Sequence, residues 1–270
     1  MDPNREPGPM PRVDERLVVP ETREEMVRGR KVIATPALPP HADRHCQVDY
    51  VIRGHTAPGY VTSSDLLTRS STGSDFATDT SVRREGIDPS TQARYLEELA
   101  FEVVFTQSLR DITERAEDLV NRGVRRMIAV FVKDGSVREW SRERNDWITL
   151  PADGVIDDPT LVRPVEVRAL LDAAAADDAL VDALERKGNP RLARLVDQGR
   201  EAALESGRRQ GLEEGRQQGH REGLEQAIEV ACKLLGLPFG PSERARLEGL
   251  DATALDAVIT HLATECAWPT

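Results

Sequence analysis

The run Phe101-Glu102-Val103-Val104-Phe105 sets a carboxylate in the middle of a stretch that otherwise reads as a buried strand. Burying an ionised carboxylate is costly unless it is paired, hydrogen-bonded or bound to a metal. A fold that buries Glu102 is expected to pair it or to hold a metal against it. Strand alternation puts Phe101, Val103 and Phe105 on one face and Glu102, Val104 and Thr106 on the other. A second carboxylate, Asp79, lies in another strand-like stretch, Ala77-Thr78-Asp79-Thr80-Ser81-Val82. The spacing between the two, with a loop between them, fits neighbouring antiparallel strands. Two such carboxylates facing one cleft make an oxygen-ligand site suited to Mg²⁺ or Mn²⁺. The alternative is a single carboxylate at a sheet edge, paired with an arginine.

With 270 residues, the chain can hold one large domain, or a smaller domain plus an extension. Aromatic residues make up only 4% of it, so the core must be aliphatic. The longest apolar run, Met127-Ile128-Ala129-Val130-Phe131-Val132, is too short to span a bilayer, and the Pro-rich N-terminus has no apolar stretch resembling a signal peptide. Cys46, Cys232 and Cys266 are isolated in sequence, which points to a reducing cytoplasm and away from a disulfide framework. A net charge of −11 counts against a general nucleic-acid binder but leaves room for local basic patches. Lysine occurs only at positions 31, 133, 187 and 233, so nearly all basic residues are arginine. Arginine suits phosphate contacts, although a bias in genome base composition produces the same imbalance.

Residues 1–20 read as a disordered lead-in, and an α/β domain is expected over 21–155. Within it the pattern predicts a short helix over Glu21–Arg28 ended by Gly29, a strand over Lys31–Ala34 and a helix over His41–Gly54. Strands follow at Tyr60–Leu67, Asp75–Val82 and Phe101–Thr106, with a polar loop around Gly86–Gln92. A helix over Leu109–Arg122 closed by Gly123 leads to the strand Met127–Val132, and Asp134-Gly135 reads as a hairpin turn into Ser136–Trp140. Residues 156–189, Ala-rich from Val165 to Arg186, form a helical connector. A long helix over Pro190–Leu235 precedes a closing segment, 236–270, with a short helix over Asp251–Ala263.

The long helix carries Gly207, Gly211, Gly215, Gly219 and Gly223 at every fourth position, with Gly199 and Ala203 in the same register. Each helical glycine costs about 1 kcal/mol relative to alanine. Small residues along a helix permit close backbone approach by a second helix, and a four-residue period favours a right-handed winding. The intervening charges exclude a membrane. The repeat is compatible with a homo-oligomer formed through residues 190–235, or with low-complexity sequence that is only partly helical.

The order Glu25-x-x-x-Gly29, His41, Asp79, Phe101-Glu102-Val103-Val104, then Asp111-x-x-x-Arg115-x-x-x-Leu119-x-x-x-Gly123-Val124 resembles the Uma family of restriction endonucleases, within the PD-(D/E)XK nuclease superfamily. The resemblance covers about residues 20–150, and the glycine-repeat tail is similar to extensions found beside such domains. It implies a restriction-endonuclease-like core, a mixed sheet flanked by helices, here followed by an all-α extension with a long helix. It also implies Mg²⁺ or Mn²⁺ held by Asp79, Glu102 and the backbone carbonyl of Val103, activating a water for attack on a phosphodiester. Glu25, on the first helix, would complete the metal shell or orient that water.

The chain departs from the family pattern at several positions. The superfamily lysine, two residues after the glutamate, is Val104. The Uma pattern moves that lysine to the following helix, where this chain has Arg115, a cation that cannot serve as a base. Thr78 replaces the proline expected before the aspartate, and Phe105 replaces a small polar residue. Arg115 can also be read as part of a solvated ladder with Asp111, Asp118 and Arg122, beside a buried face of Leu109, Ile112, Ala116, Leu119 and Val120. His41 and His45, four apart, resemble half a zinc site, though capping and packing account for them as well. Ser70–Ser74 reads as a loop.

These readings converge on a Mg²⁺-dependent endonuclease acting on DNA, with Asp79, Glu102, Arg115 and Glu25 as site residues. The alternative is a catalytically weakened nuclease-fold module that binds DNA or acts as a scaffold, assembled through its C-terminal helix.

Overall fold

Strand β4 (Asp75–Arg84) organises the first half of the molecule because its two edges are used differently. One edge pairs along its whole length with β3 (Tyr60–Arg69), through the tight Ser70–Ser74 turn. The other edge is divided. β1 (Glu24–Val27) pairs at Met26↔Asp75, while β7 (Glu97–Val104) pairs from Thr80↔Phe101 to Arg83↔Glu97. The stretch from Phe76 to Asp79 therefore faces a gap in the ladder. In this computed structural model the described residues are 10–19, 22–34 and 37–269, and they divide into two compact units, the first ending at Leu192.

The sheet is mixed. β2 (Arg30–Ile33) extends it beyond β1, and a short β5 (Ile87–Asp88) and β6 (Ala93–Arg94) form a separate hairpin that begins in the expected polar loop and ends just past it. Helix α2 (Leu109–Arg122) makes the crossover from β7 to the parallel strand β8 (Arg126–Phe131). β9 (Ser136–Ser141) and β10 (Asp146–Thr149) continue antiparallel. Both faces are covered, which is why Leu99–Val104 apart from Glu102, and Met127–Phe131, are apolar. Phe101 and Val103 pack beneath α1 (Pro39–His55), whereas Ala100 and Val104 lie in the clusters that hold α2. The expected alternation holds from Phe101 to Val104, where the strand ends.

Alternation fails in β4. Phe76 lies under α2, yet Thr80 donates to Asp49 on α1 and Val82 joins the core beneath α1. An uninterrupted strand would keep all three on one face. On β3 the residue opposite Asp79 in this register is Asp65, whose φ is 49°, left-handed backbone for a residue with a Cβ. The hairpin turns over at this pair.

Two expectations need correction. No α-helix forms over the described part of Glu21–Arg28. Glu24–Val27 is a strand, turned into Arg30–Ile33 by Arg28 and Gly29 at φ 50° and 74°, the two positive values a tight hairpin requires. The 3.6-residue reading fails because Glu25 and Val27 are both buried, two apart. Residues 156–189 are not a connector outside the domain. β11 (Val155–Ile156), β12 (Val165–Glu166), a 3₁₀ turn (Val167–Leu170) and α3 (Ala173–Arg186) place Ile156, Val165, Leu170 and Ala176 in the main core. The N-terminal lead-in lies partly outside the described residues. Within 10–19, Val13 and Val18 are buried, the Val13 carbonyl accepts from Arg69, and Leu17 donates to Asp75.

The second unit runs from Ala193. Helix α4 (Pro190–Leu235) is continuous over 46 residues. Its C-terminal part packs with α5 (Pro241–Leu247) and α6 (Ala252–Glu265) around Ile228, Cys232, Leu247, Leu255 and Leu262. Among the described residues no helix is long and apolar enough to cross a membrane.

Burial of Leu170 in the first core predicts that Leu170→Ala lowers the stability of that unit by about 2–5 kcal/mol. Leu204, 67% exposed on α4, gives the matched control. Denaturant unfolding of the two variants should differ by most of that range, and equal midpoints would show that residues 156–189 do not belong to the folded core.

Candidate metal-binding cleft

The gap on the edge of β4 is filled by side chains. Glu25 Oε1 accepts from the Ala77 N–H at 3.0 Å, and Arg115 Nη1 donates to the Ala77 carbonyl at 3.1 Å. Glu25 and Arg115 also pair directly with each other, completing the connection that a neighbouring strand would have made. The arginine comes from α2, whose start is fixed by Ser108 Oγ accepting from Asp111 N and whose end is fixed by Gly123 at φ 121°. Its guanidinium lies 4.7 Å from the Phe76 ring centre. Burial works against the Arg115 charge, but Glu102 and Glu25 outweigh it and raise its pKa.

Beyond this pair opens a cleft of about 530 Å³ lined by His41, His45, Asp65, Asp79, Glu102 and Arg115, among others. Glu102 is 3% exposed, and its Oε1 has no hydrogen-bond partner. Arg115 Nη1 stands 3.8 Å away, too far to donate. Burial first, then the Asp79 charge, push the Glu102 pKa well above its ordinary value, with Arg115 opposing and Glu25 adding to the rise. Asp79 moves the other way. Burial raises it, but His41, the Val103 N–H at 2.6 Å and the charge of His45 outweigh this and leave it lowered. Two adjacent carboxylates are thus driven apart, one toward the neutral acid and one toward the anion.

Helix α1 supplies the histidines. His41 Nε2 lies 3.5 Å from Asp79 Oδ2, and that carboxylate raises the imidazole pKa against the opposing effect of burial. His45 Nε2 is 2.7 Å from the Asp79 carbonyl and 3.5 Å from Asp49 Oδ2. Asp65 sits at the rim. Desolvation raises its pKa, with Asp79 and Asp49 adding to the rise and His45 opposing it. His45, Asp65 and Asp79 each offer a ligand atom, and these atoms all lie within 4.8 Å of one another.

The structure brings Asp79, Glu102, Glu25 and Arg115 to one cleft, with Glu25 on a strand rather than a helix. Val103 gives its N–H to Asp79, and Val104 is packed among Ile112, Ala129, Phe131 and Trp147. The charge ladder expected on α2 does not form. Asp111 is taken by Ser108 at the helix start, Asp118 by Ser74 and Arg28, and Arg122 by the Pro11 carbonyl. Arg115 points inward because the unpaired edge of β4 and Glu25 await it there. Leu109, expected on the buried face of this helix, is 54% exposed. Asp65 and Asp49 were invisible to pattern reading. A carboxylate in a polar strand such as Ser63-Ser64-Asp65 carries no signal of its own, and its place here depends on a backbone reversal.

No protein-family model matches the sequence, and neither does any curated protein. Among solved structures, the chain is similar to a candidate nuclease belonging to DUF820 from Anabaena variabilis. The identity is 12%, the match covers 56% of this chain and 90% of that one, and the TM-score is 0.47.

The displaced pKa of Glu102 predicts a pH signature. Its folded pKa lies above the ordinary 4.5, so the stability it contributes is complete below that value and is lost as pH rises toward the folded pKa. Glu102→Gln should remove that loss. With divalent ions chelated, its unfolding free energy relative to the parent chain should climb between acid and neutral pH, and a difference that does not vary with pH would refute the shifted carboxyl.

Proposed function

We propose that this chain is a metal-dependent endonuclease that hydrolyses DNA phosphodiester bonds, with Asp79 and Glu102 as its essential carboxylates. The observation that carries this reading is the unpartnered Glu102 Oε1, a buried oxygen lining the same cleft as the ionised Asp79. Such an atom costs about 1–3 kcal/mol or more if nothing fills its valence. Mg²⁺ or Mn²⁺ held by Asp79 and Glu102, with the Val103 carbonyl as a further ligand, fits that demand. The bound cation would supply Lewis acidity to the phosphodiester and to the attacking water.

The chain's own groups divide the remaining work. Arg115 cannot exchange a proton, so the proton lost by the water must pass to a carboxylate or an imidazole of the cleft. His41, held toward its charged form by Asp79, adds positive charge to the cleft, which suits phosphate oxygens. Glu25 keeps Arg115 extended into the cleft. The resemblance to the Uma family and the mixed sheet flanked by helices are consistent with this assignment.

One observation favours the second reading, a catalytically weakened module that binds DNA or acts as a scaffold. Val104 stands where the superfamily has lysine, and the Arg115 guanidinium is already committed to Glu25 and Ala77. Plasmid cleavage with Mg²⁺ or Mn²⁺ separates the two. Asp79→Ala and Glu102→Ala should each reduce cleavage to background in protein that remains folded by circular dichroism. Equal cleavage by Asp79→Ala and the parent would assign the activity elsewhere, and no cleavage by the parent would leave the module.

We further propose self-association through residues 190–235. Leu204 and Leu212 are 67% and 70% exposed on a helix whose glycines from Gly199 to Gly223 have open space beside them. The sequence is self-complementary about Gly211. In an antiparallel pair centred there, Arg209 meets Glu213, Arg208 meets Glu214, Arg200 meets Glu222 and Glu201 meets Arg221, while Gly207 faces Gly215. Asp197 against Glu225 is the like-charged exception. Reversing Arg208 and Arg209 to Glu should shift sedimentation toward monomer, and adding Glu213→Arg and Glu214→Arg should restore the parent's behaviour. A parent chain that sediments as a monomer at all concentrations would exclude the assembly.

A further inference from the structure

The cleft contains a donor set that the carboxylate pair does not use. His45 lies on α1, Asp65 on β3 and Asp79 on β4, and their ligand atoms all lie within 4.8 Å of one another, about the span that donors around one ion require. Glu102 stands outside that group but lines the same cleft with an oxygen that nothing in the protein satisfies. Within the set, Asp79 is met by His41 and the Val103 N–H, while burial and the acids around it work against the Asp65 charge. Asp49 faces the same imidazole, and the Arg115 guanidinium in this cleft is bound to Glu25. The backbone at Asp65 adds a mark of its own. Its φ of 49° falls at the position that the strand register sets opposite Asp79.

The composition of the set decides which ion it suits. Mg²⁺ prefers oxygen donors and waters in a strict octahedron and gains little from imidazole. First-row transition ions accept imidazole nitrogen readily, with affinity rising from Mn²⁺ toward Cu²⁺. His45 also makes a ring-nitrogen contact with the Asp79 carbonyl, the kind of outer contact that fixes imidazole orientation in metal sites. We propose that His45, Asp65 and Asp79 form a transition-metal site that prefers Mn²⁺ to Mg²⁺. This rests on the metal-dependent reading of the same cleft and adds the ligands that set its ion preference.

The test uses the full chain stripped with a chelator and titrated with Mn²⁺ and Mg²⁺ by calorimetry, together with pulsed electron paramagnetic resonance of the Mn²⁺ form. Mn²⁺ should bind at least about 10-fold more tightly than Mg²⁺ and show coupling to a ¹⁴N nucleus. His45→Gln should abolish that coupling and lower Mn²⁺ affinity about 10-fold or more while leaving Mg²⁺ binding nearly unchanged. Asp65→Asn should weaken Mn²⁺ binding and keep the coupling. His220→Gln, exposed on α4, should change neither. Thermal melts of each variant without metal establish that it is folded. Equal affinity for the two ions, or ¹⁴N coupling that survives His45→Gln, overturns the proposal. Cleavage that depends on Asp79 and Glu102 while His45→Gln binds Mn²⁺ normally would leave the nuclease reading standing and remove this one. The expected Mn²⁺ behaviour in a protein that cleaves no DNA would do the reverse.

Discussion

The unpaired stretch on the edge of β4 is the constraint from which the cleft follows. A backbone N–H and C=O that face no strand must find partners or pay the full cost of desolvation. Here both belong to Ala77, and both are satisfied by charged side chains, Glu25 from β1 and Arg115 from α2. Because those two also neutralise each other, the gap is closed without a strand and without exposing the sheet edge. Everything that lines the cleft is positioned relative to this junction. Asp79 is the last residue of the gap, just before β4 resumes pairing at Thr80, Glu102 is on the neighbouring strand, and the α1 histidines close over the reversal at Asp79 and Asp65.

The same junction sets the electrostatics. A single buried guanidinium is shared unequally, directly bonded to Glu25 and 3.8 Å from Glu102. Glu102 is left to the effects of burial and of Asp79, and both favour the neutral acid. Asp79 keeps its charge because a main-chain N–H and two imidazoles stabilise it. Carboxylates of one chemical type thus differ in proton affinity for reasons visible in their contacts, which is the usual way a site obtains an acid and a base from similar residues.

Much of this was legible from local pattern alone. Helix α2 was bounded correctly because Ser108 and Gly123 are strong terminal signals, and α4 because nothing within Pro190–Leu235 interrupts a helix except tolerated glycines. The strand at 75–82 was also expected, and the face assignment of Phe101–Val104 followed from strand alternation. What failed depended on long-range partners. Glu25 lies in a segment of Glu, Met, Val and Arg that suits a helix, and only the hairpin and Arg115 draw it into a strand. Residues 156–189 looked peripheral because Ala-rich sequence does not show which surface it covers. Asp65 could not be read at all, since a left-handed backbone at a non-glycine residue leaves no trace in composition.

The closure of the Ala77 edge also bears on how such a chain can vary over descent. Removing Arg115 alone would leave Glu25 buried with an uncompensated charge, a loss of about 3–5 kcal/mol, and removing Glu25 alone would strand the guanidinium. Replacing both by apolar residues of similar volume removes the charges but leaves the Ala77 amide and carbonyl unsatisfied. The two positions, one on a hairpin near the N-terminus and one on a helix far along the chain, are therefore bound to change together or not at all. A relative that has lost the pair must have acquired a strand, or another side chain, across that gap.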